Sequence, residues 1–393
     1  MVQPLAEAAV DATNAAMAAC EPETGSAGAG ALLFAAAMLL PISPGALAEG
    51  APDRATFSLK YLDYLDSQPG ADRVRVQAPM LMLSLPFKEE WLLNASYVND
   101  TVSGASPRYH TRSLTRLFDV RNAVTAALTR FMPDRSFTLA TALSTERDYD
   151  SSSLSATGSW YFDNKNTELS TGIGYTYDRI NPTNKVVIDE RKKIIDLVAG
   201  VTQVMTRDDI VQLTLRHSSG KGYYSDPYKA FDERPSARDS NSFLVRWNHD
   251  WSRASGISRL TYRYYNDTFG IDAHTLGVEY VQFLPQGWSV MPLVRLHSQN
   301  NASFYVPADP AQGDRPTFPS PDARYYTQDQ RLSAFGAVTI GAKVSKRIGR
   351  DWLVDFKYEH YEQRSEWALQ GDPDPSLAPF RARSIQVGFS YQF

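Results

Sequence analysis

Ser384-Ile385-Gln386-Val387-Gly388-Phe389-Ser390-Tyr391-Gln392-Phe393 closes the chain, and its alternation decides the fold. Ile385, Val387, Phe389, Tyr391 and Phe393 fall on one face of an extended segment, and Ser384, Gln386, Gly388, Ser390 and Gln392 on the other. Successive side chains of a strand point to opposite faces, so this is a ribbon with an oily side and a polar side. The same period of two recurs upstream. Trp352, Val354, Phe356 and Tyr358 alternate with Asp355, Lys357 and Glu359. Leu169, Ile173, Tyr175 and Tyr177 alternate with Glu168, Ser170, Gly172, Gly174 and Asp178, and Val211, Leu213 and Leu215 with Gln212, Thr214 and Arg216. Beyond residue 50 no run of eighteen apolar residues occurs, and helical spacing is not sustained. Strands with an apolar outside and a polar inside define a transmembrane barrel, the inverse of a soluble sandwich.

Turn spacing supports that choice and gives a strand count. Short turns are readable at 88–90, 133–135, 163–166, 207–209, 252–254, 285–287 and 349–351, with longer polar connections at 101–116, 179–191, 219–240, 299–333 and 365–380. Seven short inner turns alternating with eight outer connections predict an all-β, antiparallel up-and-down barrel of about sixteen strands, both termini periplasmic. Trp91, Trp251, Trp288 and Trp352 each flank a predicted inner turn, with Phe87, Phe131, Trp160, Phe162, Phe283 and Tyr391 at similar depth. Such a girdle suits rings whose apolar body and polar atom both need a partner at the membrane interface. A terminal Phe393 on an amphipathic strand resembles the signal read by the outer-membrane assembly machinery, which makes that machinery and outer-membrane lipid the expected partners.

The first fifty residues have a different composition, rich in Ala, Gly and Leu with no Lys or Arg before Arg54. Ala31 to Leu40 has the length of a signal-peptide apolar region, and Ala46-Leu47-Ala48 offers small residues for cleavage. Residues 1–48 are therefore expected to be a targeting segment and 49–393 the barrel, exported to the outer membrane of a Gram-negative bacterium; the missing positive start makes the segment atypical. Cys20, the one cysteine, falls in the removed part, so the mature chain would carry no disulfide or thiol nucleophile. The net charge is −4, from 40 basic and 44 acidic residues without a basic cluster, which argues against a nucleic-acid partner.

Alternation assigns many charges to the lumen: Arg73, Arg75, Arg121, Arg216, Arg246, Arg259, Arg263, Lys343 and Lys357, with Asp196, Asp250, Glu279, Asp355 and Glu359. A charge in hydrocarbon costs several kcal/mol, so these side chains must meet water or one another. They can line a selective pore or cross-pair to stiffen the wall, and the connections 219–240 and 299–333 are long enough to fold inward. An alternative chemistry sits at the outer rim. His217-Ser218-Ser219-Gly220 resembles the His-x-Ser motif of outer-membrane phospholipases, and Asn241 continues the outward face of the following strand. Those three would form a Ser/His/Asn hydrolytic set. Those phospholipases are smaller, twelve-stranded barrels, and the Asn that follows their nucleophile is Gly220 here. The six histidines are scattered singly, which argues against zinc; Asp372-Pro373-Asp374-Pro375 and Asp148-Tyr149-Asp150 read as solvated turns. No Gly-rich phosphate loop occurs, and no cofactor is expected.

Four segments, Val102 to Arg108, Ser225-Asp226-Pro227-Tyr228-Lys229, Arg331 to Ala337 and Pro379 to Arg383, resemble the domain of unknown function 3570 family of proteobacterial outer-membrane proteins, over nearly all the mature chain. The resemblance implies the barrel and no settled activity. Relatives encoded near flavin-attachment and extracytosolic redox proteins imply a conduit, or the membrane housing of a secretion or electron-transfer assembly with a periplasmic partner.

Overall fold

The structure is a computed structural model that describes residues 50–107, 114–229, 231–307 and 317–393. The expected targeting segment 1–48, with Cys20, lies outside the described residues. Sixteen strands form the barrel in the described part: β1 (Thr56–Gln68), β2 (Ala71–Phe87), β3 (Trp91–Pro107), β4 (Leu114–Met132), β5 (Arg135–Thr145), β6 (Tyr149–Phe162), β7 (Thr167–Ile180), β8 (Glu190–Val204), β9 (Asp209–Gly222), β10 (Ala237–Trp251), β11 (Gly256–Asp267), β12 (Asp272–Leu284), β13 (Trp288–Gln299), β14 (Phe335–Ile348), β15 (Trp352–Arg364) and β16 (Phe380–Gln392). Each pairs antiparallel with its sequence neighbours, and β1 closes the ring on β16, with Phe57 opposite Tyr391 and Leu59 opposite Phe389. Closure leaves no strand edge with unpaired backbone groups, which is the condition for crossing hydrocarbon.

The terminal strand shows why the sequence folds this way. Val387 is exposed on the outside, while Gln386 and Ser390 are buried toward the interior. The pattern holds around the wall: Leu139, Leu143, Leu154, Ile173, Leu215 and Ile340 are each more than half exposed on the outer face. A contiguous apolar belt of this kind is stable in lipid and a liability in water. At its inner edge Trp352 stacks on Tyr391 at 4.1 Å, Phe87 stacks on Trp91 at 6.2 Å, and Lys346 lies 4.9 Å over the Trp288 ring. Two expected girdle members face the other way. Phe131 is buried inside, and Phe283 packs with inward Ile257, Val281, Met291 and Leu293. Flanking aromatics fix the depth of a ring; only the register with neighbouring strands fixes its side.

The inner turns run from two residues at 133–134 to four at 163–166, and the turn after β2 holds Lys88 and Glu89 at φ of 51° and 59°. Positive φ at both positions matches the twist of a tight hairpin. Strands continue beyond the belt on the outer side, so β3 reaches Pro107 and β4 starts at Leu114 inside the stretch read as a connection. The longest outer connections are 223–236, 300–334 and 365–379, while 69–70, 146–148 and 268–271 are as short as the inner ones.

Candidate functional site

Inward positions carry charge from β1 to β15, arranged differently on the two sides. On β3 to β9 three ion pairs join neighbouring strands. Arg121 holds Asp100 directly across the β3/β4 pair, Lys192 faces Asp178 at 3.4 Å, and Arg216 reaches Asp196 at 2.9 Å. Arg73 is also inside, but Arg75 is not. A bulge places Val74 so that its amide donates to Asp66 Oδ1 at 3.1 Å, and the side-chain parity resets there. Arg75 therefore points outward and donates through Nε to Asp63 Oδ2 at 3.1 Å, which corrects its assignment to the lumen.

On β10 to β15 the inward charges are unbalanced. Arg246, Arg259, Arg263, Arg295, Lys343 and Lys357 share this wall with Glu279, Asp355 and Glu359 at membrane depth, and with Asp250 nearer the inner end. Arg259 meets Glu279 at 3.4 Å, Lys357 meets Glu359 at 3.2 Å, and Lys343 lies 4.0 Å from Asp355. Among the described residues, Arg246 and Arg295 have no carboxylate within 4.0 Å, and both are only half-buried. Arg295 was missed by the alternation argument because its strand is apolar on both faces, Met291 and Leu293 inside and Val294 and Leu296 outside.

The long outer connections fold into the mouth. Tyr224, Phe269, Ile271, Ala302, Phe304 and Leu332 form a buried apolar cluster with Tyr265 and Ala273, which are inward positions of β11 and β12. Phe269 meets Phe304 edge-on at 5.1 Å, and Arg238 stands 4.7 Å over the Phe269 ring. Lys192 of β8, opposite Gly222 in the register, lies 5.3 Å over Tyr224. Gly222, at φ 140°, permits the approach, since a Cβ there would stand 2.0 Å from the Arg191 carbonyl oxygen. Above this cluster Asp232–Glu233 pairs antiparallel with Tyr326–Thr327 around a buried ionic knot. The Arg234 guanidinium donates to both oxygens of Asp232, at 2.7 and 2.8 Å, and to Asp329 at 2.9 Å. Arg331 donates through Nε to Asp329 at 2.9 Å and reaches Asp226 at 3.5 Å, and Lys229 lies 3.5 Å from Asp329. Burial pushes the Asp329 carboxyl up, yet Arg331, Lys229 and Arg234 together hold it well below the ordinary carboxylate range. Two of the segments that carry the family resemblance, 225–229 and 331–337, meet here.

At the outer rim His217 and Asn241 face each other outward in the register of β9 and β10, with His217 Nδ1 2.8 Å from Asn241 Oδ1. Asn241 Nδ2 donates to Asn266 Oδ1 at 3.1 Å. Ser219 is on the same face, two residues from His217, and among the described residues no hydrogen bond joins its hydroxyl to the imidazole. Among the described residues no group of three or more His, Cys, Asp or Glu is placed to hold a metal.

A closed sixteen-stranded antiparallel ring with an apolar outer belt and a charged interior defines an outer-membrane β-barrel. The chain belongs to the family described as "Protein of unknown function (DUF3570)", which it matches over residues 29–116, 113–190 and 183–391. No curated protein matches the sequence. Among solved structures it is similar to a bacterial polysaccharide outer membrane secretin, with a TM-score of 0.48, 10% identity, and 86% of this chain and 97% of that one covered. It is also similar to OpdO of Pseudomonas aeruginosa, with a TM-score of 0.45, 12% identity, and 86% and 97% covered. The siderophore receptor PirA of Pseudomonas aeruginosa matches with a TM-score of 0.44 and 10% identity over 80% of this chain, which spans 57% of that receptor.

Proposed function

We propose that this barrel is a conduit for hydrophilic solutes across the outer membrane of a Gram-negative bacterium, with the packed outer connections as its cap. The observation that carries the reading is the interior, where charged side chains project inward from Asp66 on β1 to Lys357 on β15. Such groups need water or partners, and Arg246 and Arg295 have no partner carboxylate among the described residues. A barrel of sixteen strands is wide enough to hold an aqueous lumen. In this reading the chain crosses the inner membrane by its N-terminal segment, is cleaved after Ala48, and is inserted through its terminal strand. The periplasmic mouth is where a secretion or electron-transfer partner would dock. Purified protein in planar bilayers is expected to show discrete conductance steps, larger when Arg234→Ala loosens the cap. Silence from both proteins would overturn the conduit.

One observation favours a second reading, a lipid hydrolase at the outer rim. The 2.8 Å contact orients the His217 ring through Asn241, as a catalytic base requires, and Ser219 lies on the same lipid-facing side. Release of fatty acid from phospholipid vesicles, abolished by Ser219→Ala, would support it. Hydrolysis that survives Ser219→Ala would remove the nucleophile, and no hydrolysis would remove the class.

A further inference from the structure

We propose that the lumen wall of β10 to β13 is a binding site for small oxyanions with two or more negative charges. The inference rests on a lumen reachable by solute. The register sets four inward positions side by side. Arg246 pairs with Thr261, Thr261 with Gly277, and Gly277 with Arg295, all facing inward. Neighbouring strands lie about 4.8 Å apart, so the backbones that carry Arg246 and Arg295 are separated by roughly 14 Å, within the combined reach of two arginine side chains. Along β11 the same face holds Arg259 and Arg263, two residues to either side of Thr261. Arg246 and Arg295 thus flank a floor made of a hydroxyl and a glycine, while Arg259 turns to Glu279 and Arg263 lies over the Tyr265 ring.

The floor is open. A Cβ added at Gly277 would meet only the Thr261 Cβ, at 3.9 Å, so the smallest residue stands where the cations converge and leaves a recess. Glu279 is the carboxylate beside the recess, and it faces Arg259 directly in the register at 3.4 Å. Glu359, on the next wall segment, is taken by Lys357 at 3.2 Å. With Glu279 counted against Arg259, Arg246 and Arg295 remain as two positive charges with no carboxylate within 4.0 Å among the described residues. Arg246 and Arg295 feel Glu279, and Arg295 also Glu359, only at a distance, so a bound anion in direct contact lowers the energy of both. The guanidinium fork matches the paired oxygens of a carboxylate or phosphoryl group, and two forks on either side of one recess select for two or more charges.

Two sources share this chemistry, polycarboxylates and phosphates, and both can be offered to the full barrel in detergent micelles. Citrate and inorganic pyrophosphate are the probes, titrated by calorimetry at low salt with neutral maltose as control. The site predicts that at least one anion binds, that maltose does not, and that the preferred probe names the source. Arg246→Gln with Arg295→Gln should weaken binding at least tenfold. Gly277→Leu should do the same by filling the recess without altering charge, and outward Arg75→Gln should leave binding unchanged. Heat-modified gel mobility checks that each variant is a closed barrel. No binding of either anion to the natural sequence, or equal binding by a folded Gly277→Leu protein, overturns the site. Binding in micelles with silent bilayers would instead remove the conduit and keep the site, whereas conductance without binding would do the reverse.

Discussion

Lys343 and Lys357 stand directly opposite each other on β14 and β15, both facing the lumen and both buried. Two like charges at one register position are destabilising unless carboxylates offset them, and Asp355 and Glu359, on the same face of β15, do so at 4.0 and 3.2 Å. Glu359→Gln leaves a buried lysine pair with one carboxylate, at a cost of about 3–5 kcal/mol. Replacing the pair by Lys357→Met with Glu359→Leu should cost less than the single change, because no buried charge is orphaned. Denaturant unfolding of the lipid-inserted barrel, followed by tryptophan emission, checks both.

Arg234 bridges two carboxylates in the cap, so Arg234→Ala leaves Asp232 with the Asp226 amide and the Thr327 hydroxyl but no bonded cation, and weakens the hold on Asp329. The expected loss is about 3–5 kcal/mol of local stability. It should be read as faster proteolysis within 300–334 while the barrel stays closed on gels.

The same knot fixes a pH response. The Asp329 carboxyl, pulled below its ordinary 3.8 despite burial, adds stability that is complete above that pH and lost as pH falls through its lower folded value. The cap should resist protease at pH 5 and yield only below the ordinary aspartate range. Asp329→Asn should remove that acid transition.

Glu146, in the connection between β5 and β6, behaves in the opposite sense. Burial pushes its carboxyl up to about 7, against Arg121 and helped by Asp119, Asp100 and Asp148. A carboxyl raised from 4.5 stabilises the fold fully below that pH, and the contribution is lost as pH rises through about 7. The melting temperature in detergent should fall between pH 5 and pH 8, and Glu146→Gln should flatten that slope.

Trp352 stacks on Tyr391 and lies 4.8 Å from Phe389 where the terminal strand meets the inner interface. Trp352→Ala should cost about 0.5–1.5 kcal/mol beyond its lost burial area and slow insertion into vesicles. Folding kinetics into lipid measure both.

The barrel was legible because its cause is local. One apolar side chain at every second position, as in Val387 and Phe389, specifies both strand and lipid face, and short turns mark where strands reverse. The failures are equally physical. Arg75 lies beyond a bulge whose sign is an amide bonding to Asp66, and no periodicity records an extra residue. Phe131 and Phe283 sit at the predicted depth on the unpredicted side. The strand from Trp288 to Gln299 is apolar on both faces, which hid Arg295. The cap was anticipated only as connections long enough to fold inward, since Tyr224, Phe269, Phe304 and Leu332 come from three separate connections and nothing in any one of them announces the others.

Cysteine accessibility along β9 tests the central claim of lipid outside and water inside most directly. Single cysteines at 212, 213, 214 and 215, in a Cys20→Ser background, would be exposed in lipid vesicles to a charged aqueous thiol reagent, and labelled with a fluorophore for quenching by brominated lipid. Cysteines at 212 and 214 should take the reagent, and those at 213 and 215 should be quenched by the lipid. Equal aqueous labelling of all four, with no quenching at any, would contradict it.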